Sequence, residues 1–279
     1  YTAANELFNG IRSGSFKFTD QSQIQKFQED ISAFETKWDF CNIDDAMAFV
    51  RDDANLVSTE SNGVMRVFPS KGFVLPVDVD NAIKSGVITE ADRENCAKEV
   101  RFSFNKQAIH REQVMILDIL ANNDWKRPIY FTGGSYNESE YIWMKNYLQL
   151  DGLVYKLVPI KTALGKENPY LMGRIDSDLM YDIVMKWDWG NSERTDIYHD
   201  RETRKNSISF RSNMARLAEQ LINEEKFDKA KKVIDLALEK MPLDYFGFYS
   251  LLVPFVDGYY KLGEVAAAQE LSDAIGHKY

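Results

Sequence analysis

The sequence predicts an α+β domain, with a small mixed or parallel sheet and helices, followed by an all-α pair of tetratricopeptide-like helical repeats. Three observations predict this fold class. Strand and helix patterns alternate through the middle of the chain, and apolar residues recur at helical spacing after residue 210. A polar stretch at 190–195 lies between these regions. We therefore place the domains at 1–195 and 196–279.

Composition and charge exclude several classes of protein. Of the 279 residues, 44% are hydrophobic and 13% aromatic, which is enough to pack the cores of two domains. The net charge of −9 gives nucleic acid no basic surface, so it is not an expected partner. The longest apolar run, 114–120, is far shorter than the ~18 residues of a membrane span. Because Tyr1 is neither an initiator Met nor the start of a signal peptide, we expect a piece of a longer protein.

The first third of the chain changes from helical to strand patterns. Residues 1–60 carry apolar side chains at spacings of three and four, which predicts helices, one of them around 46–50. The β-rich runs 64–68 and 73–77 are separated by Pro-Ser-Lys-Gly, a length that suits a hairpin. Pro76 predicts that the second of these strands lies at a sheet edge.

The middle of the chain alternates strands with helices. Apolar and polar residues alternate over 100–104, as in a half-buried strand, and 106–122 predicts a helix that is apolar around much of its girth and therefore buried. A strand at 127–132 precedes a helix that Asn137 caps and that ends at Asp151-Gly152. The next strand is predicted at 153–160. This order favours a small sheet with parallel crossovers.

The C-terminal region matches a 34-residue helix-pair repeat that begins at Arg211. Alanines are expected where the two helices cross closely, and a proline is expected after the second helix. The matching positions are Met214, Leu217, Ala218, Leu221, Ala230, Ile234, Ala237 and Pro242. An irregular second copy follows, in which Ala268 lies 38 residues after Ala230. Because two repeats are fewer than a free-standing solenoid needs, the pair should pack on the first domain or on further chain.

The repeat geometry also predicts a candidate binding groove. The first helix of such a pair lines the concave face, and its residues that are not used for packing should face the groove. These are Ser212, Ala215, Glu219, Ile222 and Asn223. Ile222 is apolar, so we expect it to contact a bound peptide or to be covered by Trp187 or Trp189. The two tryptophans flank Asp188, which suits either a carbohydrate platform or a packed interface, and packing is favoured.

No catalytic, metal or cofactor motif is present in the sequence. Gly133-Gly134 follows a strand, as in phosphate-binding turns, but the phosphate-loop and dinucleotide fingerprints are missing, so a plain turn is favoured. The three histidines show no metal-ligand spacing. Asp78 is expected to cap a helix that starts near Asn81. Cys41 and Cys96 are expected to be unpaired thiols; a disulfide is the alternative in an exported parent. We expect no catalytic residue, no bound metal and no cofactor.

Three segments carry a resemblance to a known family. They are ILDILANNDWKRPIYF at 116–131, YLQLDGLVYKLVPI at 147–160 and FRSNMARLA at 210–218. From about Arg101 onward the chain resembles the soluble C-terminal region of large multi-spanning bacteroidete membrane proteins, whose N-terminal half resembles protein O-mannosyltransferases. The resemblance implies that sugar transfer belongs to the membrane half. It also implies that this region lies on the periplasmic side of the inner membrane.

Three hypotheses for function follow from these observations. In the first, the chain is a non-catalytic domain that positions its own membrane-spanning half, or an acceptor polypeptide or glycan, for O-glycosyl transfer. In the second, it is a protein–protein interaction scaffold of a cell-envelope assembly unrelated to glycosylation. In the third, the α/β domain is a small enzyme that binds a phosphorylated ligand, a hypothesis that depends on Gly133-Gly134.

Overall fold

The computed structural model divides the chain into two compact units. Unit 1 comprises 1–129, 135–148 and 157–172, and unit 2 comprises 130–134, 149–156 and 173–279. Residues 173–195 belong to unit 2 by their contacts, whereas the sequence predicts them in the first domain. The structure describes residues 2–3, 40–59, 63–104, 109–132, 142–163 and 172–277.

The first part of unit 1 contains short strands and one helix. The elements are β1 (Thr2–Ala3), β2 (Cys41–Asn42), α1 (Ile43–Arg51), β3 (Val57–Thr59), β4 (Gly63–Met65), β5 (Val67–Phe68) and β6 (Gly72–Pro76), with a 3₁₀ turn at Asp53–Asn55. Helix α1 confirms the prediction around 46–50, and the side chain of Asn42 caps it by accepting a hydrogen bond from Asp44 N. The helices predicted nearer the N-terminus fall at 4–39, outside the described residues.

Strand β6 is the central strand of a three-stranded sheet. It pairs in parallel with β2 and antiparallel with β7 (Glu99–Ser103). The hairpin predicted between 64–68 and 73–77 is therefore wrong, because β4 pairs with β3 and β5 pairs with β1. The edge position predicted from Pro76 is wrong as well. Pro76 is the last residue of β6, opposite Glu99, where the missing N–H interrupts little of the ladder.

The core of unit 1 is rich in aromatic side chains. Phe73 lies 5.6 Å from Phe68, 5.6 Å from Phe102 and 5.9 Å from Phe104, measured between ring centroids. Trp143 lies 4.6 Å from both Phe102 and Phe104. The predicted alternation along β7 is confirmed, because Val100, Phe102 and Phe104 are buried whereas Arg101 and Ser103 are exposed.

Two helices follow in unit 1. They are α2 (Val79–Lys84) and α3 (Arg111–Asn123), and a 3₁₀ turn at Glu90–Asn95 lies between them. Asp78 caps α2, as predicted, by accepting from Asn81 N at 2.8 Å. The helix predicted at 106–122 corresponds to α3, and the prediction that it is buried around much of its girth is wrong. Leu117 and Leu120 are buried, whereas Met115 and Ile119 are 59% and 54% exposed. Its apolar residues therefore belong to two faces.

A hairpin replaces the end of a predicted helix. The strands are β8 (Tyr130–Thr132), β9 (Leu148–Asp151) and β10 (Val154–Leu157), and a 3₁₀ turn at Ile142–Tyr147 lies between β8 and β9. Their order in the sheet is β8-β10-β9. The structure thus places a strand at 148–151, where the sequence predicted helix, because Asp151-Gly152 forms the turn and Gly152 adopts φ +67°. β10 runs antiparallel to β8, so the parallel crossover predicted between these two strands is wrong. Parallel pairing occurs earlier in the chain, between β1 and β5 and between β2 and β6.

The rest of unit 2 is helical. The helices are α4 (Ser177–Val184), α5 (Arg201–Lys205), α6 (Ser207–Asn223), α7 (Phe227–Lys240), α8 (Leu243–Phe246), α9 (Val253–Lys261) and α10 (Val265–Gly276), with a 3₁₀ turn at Tyr249–Leu252. Seven of the eight predicted repeat positions are buried: Met214, Leu217, Ala218, Leu221, Ala230, Ile234 and Ala237. Pro242, the eighth, is half-buried and follows the end of α7.

Helices α6 and α7 form one hairpin, and α9 and α10 form a second hairpin that packs on the first. Gly258 marks the crossing of α9 with the first hairpin. A Cβ at this position would lie 2.8 Å from Ile234 Cδ1 and 3.7 Å from Ile222 Cδ1, so the close approach requires glycine. No helix in the described part of the chain is long and apolar enough to cross a membrane.

Candidate functional site

The structure spreads the predicted groove residues over two faces of α6. Glu219 and Asn223 are exposed, and Ser212 is half-buried beside them on the same side of the helix. Ala215 is only 8% exposed, and Ile222 is half-buried. The solvent-facing strip of α6 is therefore polar, and its members are Ser212, Glu219 and Asn223.

Helix α9 covers Ile222, and the tryptophans lie elsewhere. The Ile222 side chain reaches Gly258 of α9. Trp187 and Trp189 lie 5.1 and 5.3 Å from the ring of Phe210, and Ile222 lies about 18 Å further along the same helix. The tryptophans form a packed aromatic cluster with Phe210, which is the favoured interpretation of that segment. They do not provide the expected cover for Ile222.

The β9–β10 turn packs tightly against the tryptophan segment. A Cβ at Gly152 would lie 3.0 Å from Trp187 Cζ2 and 3.1 Å from Ile183 Cγ2, so glycine is required for space as well as for its positive φ. The side chain of Asn213 donates to Gly152 O at 2.8 Å, and Arg216 donates to Gly173 O at 3.0 Å. These contacts fix α6 against the turn through the side of the helix that adjoins the polar strip.

A buried ion pair lies within the sheet of unit 2. Lys156 Nζ is 3.0 Å from Asp151 Oδ2, and the two side chains are 3% and 4% exposed. Gln149 donates to the other carboxylate oxygen of Asp151 at 2.9 Å. Sequence reasoning missed this site, because the two charges are five residues apart and meet only when 148–157 forms a hairpin. The Asp-Gly pair was the available signal.

A second polar network surrounds Ser177 at the start of α4. The Ser177 hydroxyl donates to Glu224 Oε2, and Lys226 Nζ donates to Ser177 Oγ at 2.9 Å. Lys226 also lies 2.8 Å from Asp178 and from Glu224, while Lys229 lies 2.7 Å from Asp178. A serine between a lysine and a carboxylate has the composition of an activated nucleophile, so its electrostatics decide its chemistry.

The charges around Ser177 do not favour nucleophilic catalysis. The hydrogen bonds that Lys226 donates to Asp178 and Glu224 raise the pKa of Lys226, which keeps the amine protonated and unable to accept a proton. Hydrogen bonds from Gln220, Lys226 and Ser177 outweigh burial and lower the pKa of Glu224, which makes it a weaker base. Ser177 itself is only 3% exposed. The network instead ties the start of α4 to the turn between α6 and α7.

Unit 1 offers a small cleft and two separate thiols. The cleft is lined by Leu75, Leu120, Asn123, Trp125, Ile129 and Leu157, and its volume of about 10 Å³ is far below the roughly 300 Å³ at which ligand pockets begin. Cys41 Sγ donates to Asn42 O and Cys96 Sγ donates to Asp92 O, and the two cysteines form no disulfide in the structure. Burial, and then the charge of Asp45, raises the pKa of Cys41 to about 12, which makes it unreactive.

No group of three or more metal-ligating side chains occurs among the residues that the structure describes. The candidate phosphate turn at Gly133-Gly134 falls outside those residues. The expectation that the chain carries no catalytic residue and no cofactor stays a prediction.

A family model matches the greater part of the chain. The family model of TMEM260-associated domain 2 matches residues 11–179, which is 169 of the chain's 279 residues. No curated protein and no solved structure matches the chain. The match includes every described strand except β1, together with the start of α4 and the Asp151–Lys156 pair, and it ends before the helical hairpins. On this evidence the chain belongs to the TMEM260-associated domain 2 family.

Proposed function

We propose that this chain is a non-catalytic domain of a membrane glycosyltransferase-like protein. In this proposal it holds an acceptor polypeptide, or the parent's own membrane-spanning half, in position for O-glycosyl transfer. The family match and the resemblance of 116–131 and 147–160 to the protein O-mannosyltransferase-like family support a parent of this kind. The periplasmic side of the inner membrane is the location that the resemblance implies.

The observation that carries the positioning role is the polar strip of α6. Two helical hairpins pack so that α6, the first helix of one, contacts α9, the first helix of the other, an order that supports a tetratricopeptide-like pair. Glu219 and Asn223 face solvent on α6. The hydrogen bond to Asp257 raises the pKa of Lys261 on α9, and the charge of Glu219 adds a smaller effect in the same direction. A polar strip that carries a carboxylate suits a polypeptide segment with cationic groups better than an apolar ligand.

Charge reversal on this strip tests the proposal in the intact parent protein. Glu219→Arg should lower the transfer of sugar from a lipid-linked donor at limiting acceptor concentration, because the strip would then repel cationic groups of its partner. We expect a raised KM for acceptor, or weaker docking of the membrane half, with an unchanged melting temperature. The readout is radiolabelled sugar transfer in proteoliposomes.

Glu239→Arg is the matched control, because Glu239 is an exposed helical glutamate on α7, away from the strip. Equal activity of the two variants would count against a role for the strip. If the parent protein transfers no sugar, with or without this region, the glycosylation proposal fails and the envelope-scaffold hypothesis replaces it.

A further inference from the structure

Two aromatic rings in unit 2 are surrounded by basic side chains. Tyr245 and Phe246 of α8 lie 5.6 Å apart, measured between ring centroids. The imidazole of His199 is 5.6 Å from Tyr245 and 6.3 Å from Phe246. The guanidinium of Arg204 lies 5.6 Å from Tyr245, and that of Arg211 lies 6.0 Å from Phe246. We refer to these five residues as the basic–aromatic cluster.

The backbone of the connection between the hairpins holds the two arginines in place. Arg211 Nη2 donates to Met241 O at 2.7 Å, and Arg211 Nη1 donates to Gly247 O. Arg204 Nη1 donates to Tyr245 O at 3.3 Å. The Tyr245 hydroxyl donates to Ile197 O at 2.6 Å, which ties the segment before α5 to α8. The fold therefore fixes the geometry of the cluster.

Three nitrogens of the cluster have no hydrogen-bond partner among the described residues. They are Arg204 Nε, Arg211 Nε and His199 Nε2, and all three are buried. Among the described residues, the partners of Arg204 and Arg211 are backbone carbonyls and aromatic rings, with no carboxylate. Arg211 is 0% exposed, so its charge is buried without a counter-ion in a chain whose net charge is −9. Such burial is unfavourable unless an anion compensates it.

We propose that the basic–aromatic cluster binds an oxyanion, the chemical group shared by phosphate esters and carboxylates. The Arg204 side chain is only partly buried, although its Nε is enclosed; on entry of the anion this Nε–H can donate to one anion oxygen, and an Nε2–H of His199 can donate to another. Arg211 contributes charge from beneath rather than a direct contact. The site does not depend on the polar strip of α6 or on the proposed role in glycosylation.

Titration of the full chain with inorganic phosphate tests this site. The Nε–H resonances of Arg204 and Arg211 should shift in proton–nitrogen NMR spectra as phosphate is added at constant ionic strength, and chloride should cause no such shift. Sodium acetate forms the second arm of the experiment. A shift with phosphate alone identifies a phosphate site, and a shift with both identifies a general oxyanion site that a carboxylate can fill.

Arg204→Ala should weaken phosphate binding at least tenfold, and Arg204→Lys should weaken it less because it keeps the charge and loses the fork. Arg194→Ala is the matched control, because Arg194 is an exposed arginine already paired with Asp196 at 2.5 Å. Unshifted Nε–H resonances, or equal losses in Arg204→Ala and Arg194→Ala, would overturn the proposal. If Arg204→Ala fails to fold, the wild-type resonance shifts and the phosphate affinity of Arg204→Lys still test the proposal.

Discussion

The interiors of the two units differ in what they bury. The core of unit 1 centres on Phe73, which contacts aromatic rings on both sides. Unit 2 buries charge: the side chains of Lys156 and Asp151 are 3% and 4% exposed, and Arg211 is 0% exposed. Apolar cores tolerate exchanges that conserve volume, whereas a buried charge must keep its partner. The position of each polar side chain should therefore constrain unit 2 more strongly than unit 1.

The difference also shows what polar burial achieves locally. The Asp151–Lys156 pair and Gln149 lie on the two strands that flank the Gly152 turn, so they match only in one register. Arg211 joins α6 to both ends of the connection at 241–247. In both places a polar side chain selects one arrangement of backbone segments. Hydrophobic packing alone would allow several.

The largest expected loss comes from the aromatic core. Phe73→Ala should lower the free energy of unfolding by about 3–5 kcal/mol, because Phe73 is 1% exposed and its removal leaves a cavity between three rings. Urea denaturation monitored by tryptophan fluorescence measures this loss. Phe73→Leu, which fills more of the space, should lose less. Equal losses for both variants would mean that the core collapses around the site and that packing there is loose.

Breaking the buried ion pair tests the opposite side of the comparison. Lys156→Met should destabilise unit 2 by about 3–5 kcal/mol, because it leaves the Asp151 carboxylate buried without its cation. The double variant Asp151→Leu/Lys156→Met removes both charges and should recover most of that loss. Urea denaturation of both variants provides the measurement. If the double variant is less stable than Lys156→Met, then Asp151 stabilises the fold through Gln149 or the turn instead of through Lys156.

Elements set by short-range patterns were predictable from the sequence. The alternation at 100–104 gave β7, and the spacing of Met214, Leu217 and Leu221 gave the buried face of α6. Both patterns lie within one element and depend on its own periodicity. Asp78 was predicted as a cap for the same reason, since a cap needs only the next three residues.

Features that depend on pairing between distant segments were not predictable. Apolar residues around the whole girth of α3 indicated burial, yet Met115 and Ile119 are exposed, because periodicity does not state how many neighbours surround a helix. The hairpin at Gly152 was mistaken for a helix end, since glycine follows helices and fills hairpin turns equally well. The repeat pattern begins at Arg211 but does not predict that this side chain is buried. The burial of Arg211 depends on the connection at 241–247, whose carbonyls accept its hydrogen bonds.

A moderate effect is expected from overfilling a helix crossing in unit 2. Ala237→Leu should lower the free energy of unfolding by about 1–3 kcal/mol, because Ala237 is 0% exposed in the face of α7 that packs on α6. Thermal unfolding measures the change. Lys232→Leu on the exposed side of the same helix is the control and should leave the melting temperature nearly unchanged. An unchanged melting temperature for Ala237→Leu would contradict close packing at this crossing.

The smallest expected effect comes from charges at the surface of unit 2, where Asp178 and Glu224 pair with Lys226. Hydrogen bonds from Lys226 and Lys229 lower the pKa of Asp178 below its ordinary value of 3.8, and the pKa of Glu224 is lowered below 4.5. A carboxyl group whose pKa is lower in the folded state binds fewer protons there than in the unfolded state. Its stabilisation is therefore present above the ordinary pKa and is lost as the pH falls through the folded value.

Stability should accordingly fall between about pH 5 and pH 3, and Asp178→Asn should remove part of that fall, which urea midpoints measured across this range would show. The effect should be small, about 1 kcal/mol or less, because the pairs are exposed, and high salt should reduce it further. Asp228→Asn, which removes an exposed carboxylate from the first turn of α7, is the control. If the pH dependence of Asp178→Asn matches that of the wild type, the lysines around Asp178 do not stabilise the fold.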